Sequence, residues 1–132
     1  MKTKLSIAAV GLGMLLASVP AIAHHSFAAE FDAAKPIKLT GSVTKVEWMN
    51  PHTYFYIDVK DEKGTVTNWG LEMGSPNGLM RQGWTRNSMK IGDVVTVEGS
   101  AAKDGSNIGN ARSVTLAGGQ RLFAGSSQTT TP

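Results

Sequence analysis

The sequence predicts an all-β domain, and three observations carry that expectation. Segments of alternating apolar and polar residues, rich in β-branched and aromatic side chains, recur between Lys38 and Phe123. Turn signals separate them at Asn50-Pro51-His52, Asp61-Glu62-Lys63-Gly64, Lys90-Ile91-Gly92-Asp93, Lys103-Asp104-Gly105-Ser106 and Gly118-Gly119. One strong helix signal, Ser75-Pro76, falls between the third and fourth segments. Three strands, a helix and two strands is the order of the OB-fold. The expectation is therefore a small five-stranded OB-like Greek-key barrel over residues 37–124, with one short helix between strands 3 and 4. An open β-sandwich is the alternative.

The first strand is read from Lys38 to Trp48, with Gly41 marking a bulge or tight bend of the kind barrels use. The second, Tyr54 to Val59, places Tyr54, Tyr56 and Asp58 on one face and Phe55, Ile57 and Val59 on the other. In the third, Val66 to Met73, the core face carries Trp69, Leu71 and Met73. Ser75 caps a helix whose Leu79 and Met80 are expected to face inward, and Gly83 stops it before Trp84. Val94 to Gly99 and Ala111 to Leu116 form the last two strands, and Gly118-Gly119 turns the chain into Arg121-Leu122-Phe123.

Outside this domain, residues 1–23 have the three parts of a secretory signal. Lys2 and Lys4 give the positive start and Leu5 to Ala17 the apolar run. Pro20 then leads to the small residues Ala21 and Ala23. The run is too short for a transmembrane helix, which needs about 20 residues. Cleavage after Ala23 would leave a mature chain starting His24-His25; a competing cut after Ala21 would set both histidines two residues deeper. The expected setting is periplasmic or secreted. Residues 24–36 read as a lead-in, with Asp32 to Pro36 a turn into the first strand. Residues 125–132 read as a polar tail too poor in apolar groups to pack.

Composition narrows the chemistry. The 132-residue chain has a formal charge of +3, but without Lys2 and Lys4 the mature chain is close to neutral. That balance predicts neither nucleic acid nor an anionic membrane as partner. The absence of cysteine excludes disulfides and a thiolate nucleophile. No nucleophile motif such as G-x-S-x-G is present, so the reading leans away from an enzyme.

The three histidines are His24, His25 and His52. Imidazole suits copper, zinc and nickel. A terminal His24 would offer its α-amine and its ring, and His52 could close a three-nitrogen copper site. In this it resembles the terminal-histidine copper sites of polysaccharide monooxygenases and periplasmic copper carriers. The amine ionises at about 7.7–8.0, so a metal displaces its proton readily at neutral pH. His25 and Met49 are secondary ligand candidates, the thioether being suited to Cu(I). Glu47 and Glu72 could orient a histidine. A second constellation, Tyr54, Tyr56, Trp84 and Arg86, could hold a sugar, peptide or exported protein partner without metal. A copper-dependent oxidase is a third reading.

The combination of His24-His25-Ser26-Phe27, Trp48-x-Asn50-Pro51-His52, Ser75-Pro76-Asn77 and Gly83-Trp84-Thr85-Arg86-Asn87-Ser88 resembles a family of small exported bacterial proteins of unknown function. The resemblance covers nearly all of the mature chain. It implies a periplasmic or secreted setting in a Gram-negative bacterium and no established activity.

Overall fold

The computed structural model describes residues 27–126. A single helical turn, α1 (Phe27–Glu30), leads into β1 (Phe31–Glu47), followed by β2 (Tyr54–Lys60) and β3 (Val66–Glu72). Helix α2 (Pro76–Arg81) comes next, then β4 (Val94–Ala102), β5 (Ile108–Thr115) and β6 (Arg121–Phe123). The strands lie in the order β3-β2-β1-β4-β5-β6, and β3 also pairs with β5. That last pairing is parallel, running from Gly70↔Ile108 to Glu72↔Asn110, and it closes five strands into a ring. The architecture is an OB-like barrel with its helix between β3 and β4, as the element order predicts.

The long first strand serves two neighbours. Its N-terminal part pairs with β4, ending at Ser42↔Val94, and its C-terminal part pairs with β2 from Ser42↔Asp58 to Glu47↔Tyr54. The strand begins at Phe31, seven residues earlier than its alternation suggests. The ladder breaks between Asp32 and Pro36, so the expected turn is an interruption inside the strand. Phe31 anchors the early part: it is buried and sits opposite Ala102, also buried. The Gly118-Gly119 turn leads into a sixth strand, β6, which the five-strand expectation did not count; it hydrogen-bonds β5.

The inward residues of each strand meet in one core: Val43, Phe55, Ile57, Leu71, Met73, Val95, Val97, Ala111 and Val114, with Leu122 from β6. Trp48 and Trp69 are partly buried against its margin. Leu79 of α2 is fully buried. Ser75 caps the helix by accepting a hydrogen bond from the Gly78 amide at 3.2 Å, and Pro76 occupies the first turn. At the other end, Gly83 adopts φ +98°. Its amide donates to the Met80 carbonyl and the Trp84 amide to the Leu79 carbonyl, the paired bonds of a Schellman stop. Met80, expected to face inward, is half-exposed. A helix this short buries only one narrow stripe, and Leu79 takes it.

Candidate functional site

Strand register builds a polar cluster at one end of the barrel. Tyr54 opens β2 and Glu72 closes β3, and the two are direct cross-strand partners. Residues opposite one another in an antiparallel pair project from the same face. The Tyr54 hydroxyl donates to Glu72 Oε2 at 2.7 Å. His52 enters from the β1–β2 loop, just after the cis Asn50–Pro51 bond, and its Nδ1 lies 3.3 Å from Glu72 Oε1. Each carboxylate oxygen thus has its own partner. Glu72 is 6% exposed, so its charge is held beneath the surface by a phenol on one side and an imidazole on the other.

The cluster has definite proton chemistry. Burial, foremost, then the hydrogen bond to Glu72 and the negative charges of Glu72 and Glu30, push the Tyr54 phenol well above its ordinary range. Tyr54 is therefore a fixed donor at physiological pH. With Nδ1 turned to the Glu72 carboxylate, Nε2 is the ring nitrogen left to meet other groups. His52 retains a third of its side-chain exposure. Lys103 ties α1 down, its amide donating to the Glu30 carbonyl and its Nζ to the Ala28 carbonyl.

Beside His52 lies a cleft of about 200 Å³, lined by Pro51, His52, Gly74, Ser75, Gly78, Arg81, Gly125 and Ser126. Residues 125 and 126, read from sequence as the start of an unpacked tail, form one wall against Gly74. Next to His52, Thr53 is fully buried and paired through its backbone. Its amide donates to Gly74 and its carbonyl accepts from Met73. Its hydroxyl has no hydrogen-bond partner among the described residues.

The other sequence-predicted residues are placed as follows. His24 and His25 lie outside the described residues. Met49 is half-exposed on the loop that carries His52. Tyr54 and Tyr56 share the outer face of β2. Tyr56 lies opposite Gly70, with Lys45 Nζ 5.3 Å from its ring centre. Trp84 is 2% exposed and belongs to the core, where its Nε1 donates to the Phe123 carbonyl at 2.8 Å. The Schellman stop turns it inward, which removes it from the proposed ligand-binding set. Arg86 is exposed in the Thr85–Ser88 turn. Among the described residues no group of three or more His, Cys, Asp and Glu is arranged to hold a metal ion. The same residues contain no helix long and apolar enough to cross a membrane.

Among solved structures, the chain is similar to the mitochondrial single-stranded DNA binding protein Rim1 of S. cerevisiae. The two share 12% identity over 62% of this chain and 92% of that one, with a TM-score of 0.49. It is also similar to a ZRD-deleted mutant of TiaS in complex with agmatine, at 24% identity over 74% of this chain and 24% of that one, with a TM-score of 0.47. Both likenesses are too distant to add to the strand order and the β3–β5 closure. No curated protein matches the chain in sequence. A family model does match, over residues 12–112, and on that span the chain belongs to the family of unknown function DUF6152.

Proposed function

We propose that this is an exported binding protein, periplasmic or secreted, that holds copper between its mature N-terminus and His52. In this reading the His24 amine and ring supply two nitrogens and His52 Nε2 a third, with His25 and Met49 secondary. The observation that carries it is the buried Glu72 facing His52 Nδ1 at 3.3 Å, the carboxylate–histidine arrangement that orients metal-binding imidazoles. Three residues lead from Phe27, where the helical turn begins, back to His24, and an extended chain of that length reaches about 10 Å.

The test uses protein with an authentic His24 terminus and Cu(II). The expected result is a nitrogen-ligated electron paramagnetic resonance signal, lost or simplified in His52→Ala and sharply weakened when a methionine precedes His24. Equal binding by the native, extended and His52→Ala proteins would sink the reading.

A second reading has its own observation. The Tyr56 ring on the outer face of β2, with Gly70 opposite and Lys45 above, is a surface on which a sugar or peptide could stack without metal. A tyrosine-centred spectral shift with a glycan or peptide, unchanged by chelator and lost in Tyr56→Ala, would favour it.

A further inference from the structure

We propose that the cleft beside His52 is a binding site for a small oxyanion, a carboxylate or phosphate group, independent of any metal. Its volume of about 200 Å³ holds about six waters, which suits a small organic acid or inorganic phosphate. Its polar side chains come from His52, Ser75, Arg81 and Ser126, and no carboxylate is on its wall. The nearby Glu72 is buried with both oxygens engaged, by His52 and Tyr54. Arg81 is exposed on the last turn of α2, and the described ion pairs do not include it. A guanidinium at the rim of such a cleft offers paired N–H donors in the geometry a carboxylate or phosphate accepts. Ser75 Oγ already accepts from the Gly78 amide, so its own proton is available to donate outward.

The absence of a side chain at Gly78 keeps part of this space open. A Cβ placed on Gly78 would meet only Ser75 Oγ, at 3.2 Å, with nothing else within 4 Å. Its backbone is helical, not left-handed, so a side chain there is compatible with the helix once Ser75 Oγ yields by a few tenths of an ångström. Gly in a helix interior otherwise costs stability relative to residues such as Leu. The site shares His52 with the copper reading but does not depend on it.

Metal-free, chelator-treated protein labelled with ¹⁵N is titrated with sodium acetate in one arm and sodium phosphate in another, with sodium chloride at matched ionic strength as reference. The expected result is a saturable shift confined to the amides around Ser75, Gly78 and Arg81 and to the Arg81 Nε–H. Arg81→Gln should weaken binding about tenfold, as loss of a charge-assisted hydrogen bond does. Gly78→Leu, which fills the cleft while keeping a dispersed spectrum, should abolish it. Saturation by phosphate alone or acetate alone identifies the preferred anion. Shifts that fail to saturate with either anion, match those with chloride, or persist unchanged in both variants would overturn the site. Because no metal is present, failure here leaves the copper result to be decided by its own experiment.

Discussion

At the scale of single residues, Tyr54 and Thr53 are neighbours with opposite accounts. Tyr54 is bound into its surroundings: its hydroxyl serves Glu72, and burial with the adjacent negative charges holds its proton to unusually high pH. In the unfolded chain a tyrosine ionises at about pH 10. Below that pH both states keep the proton, and the stabilisation tied to the raised pKa is fully present. As pH rises beyond it, the unfolded chain loses its proton first and so binds fewer than the native one, and stability falls. Urea unfolding from pH 8 to 11 should therefore show a declining midpoint that Tyr54→Phe flattens. At neutral pH the same variant should be less stable by about 1.5 kcal/mol, the scale of a hydrogen bond to a charged group. An alkaline decline of equal slope in both proteins would remove Tyr54 as its source. Thr53, by contrast, buries a hydroxyl that no group among the described residues satisfies, while its backbone bonds do not involve the side chain. Thr53→Val keeps the branched shape and deletes the orphan. The expected change is a gain of about 1 kcal/mol, read as a higher urea midpoint at constant slope.

At the scale of elements, periodicity decides what a sequence discloses. Strand β2 is legible because each residue alternates: Phe55 and Ile57 are fully buried, while Tyr54 and Tyr56 remain partly exposed on the outer face. Helix α2 is legible at both ends because capping is local chemistry, with Ser75 and Pro76 at the start and Gly83 at the stop. The first half of β1 is not, because its ladder is interrupted between Asp32 and Pro36 and the alternation is lost there. Trp84 is a related case. Its type and its place after a helix fit a ligand-facing rim as well as a core. Only the Schellman bonds, which fold the chain back over Leu79, decide for the core. The candidate site divides in the same way. His52 and Glu72 are visible as chemistry that could pair, but the register Tyr54↔Glu72 that brings a phenol to the second carboxylate oxygen is a tertiary fact. The adjoining cleft draws on the β1–β2 loop, the approach to α2, the helix itself and residues 125 and 126. Glycines and serines from separate segments carry no periodic or motif signal that would have assembled it.

At the scale of the whole molecule, the barrel depends on places where two backbones come closer than any side chain permits. Gly41 marks where β1 passes from β4 to β2, and a Cβ there would stand 2.3 Å from the Asp58 carbonyl oxygen. Gly99 sits at the register shift between β4 and β5, where a Cβ would fall 1.8 Å from the Asn110 oxygen and 2.9 Å from its carbonyl carbon. The opposing atoms belong to a backbone, and Asn110 also pairs with Glu72 in the parallel ladder that closes the ring. Relief of the clash must therefore move β5, and with it the β3–β5 seam and the strand end that carries Glu72. Gly99→Ala adds one methyl group to a protein whose whole stability is expected to be about 5–15 kcal/mol. It should cost at least about 3 kcal/mol, in the range that marks forced backbone displacement over ordinary surface change. Gly118→Ala provides the control. Nothing lies within 4 Å of its Cβ position and its φ is not left-handed, so its effect should stay within about 0.5 kcal/mol. The measurement is thermal and urea unfolding of both variants, with amide exchange of Gly70 to Glu72 as a local readout. The expected pattern is a large loss of stability for Gly99→Ala, with faster exchange along the β3–β5 seam. Equal, small effects of the two substitutions would mean that the seam is not held by the close approach of β4 and β5.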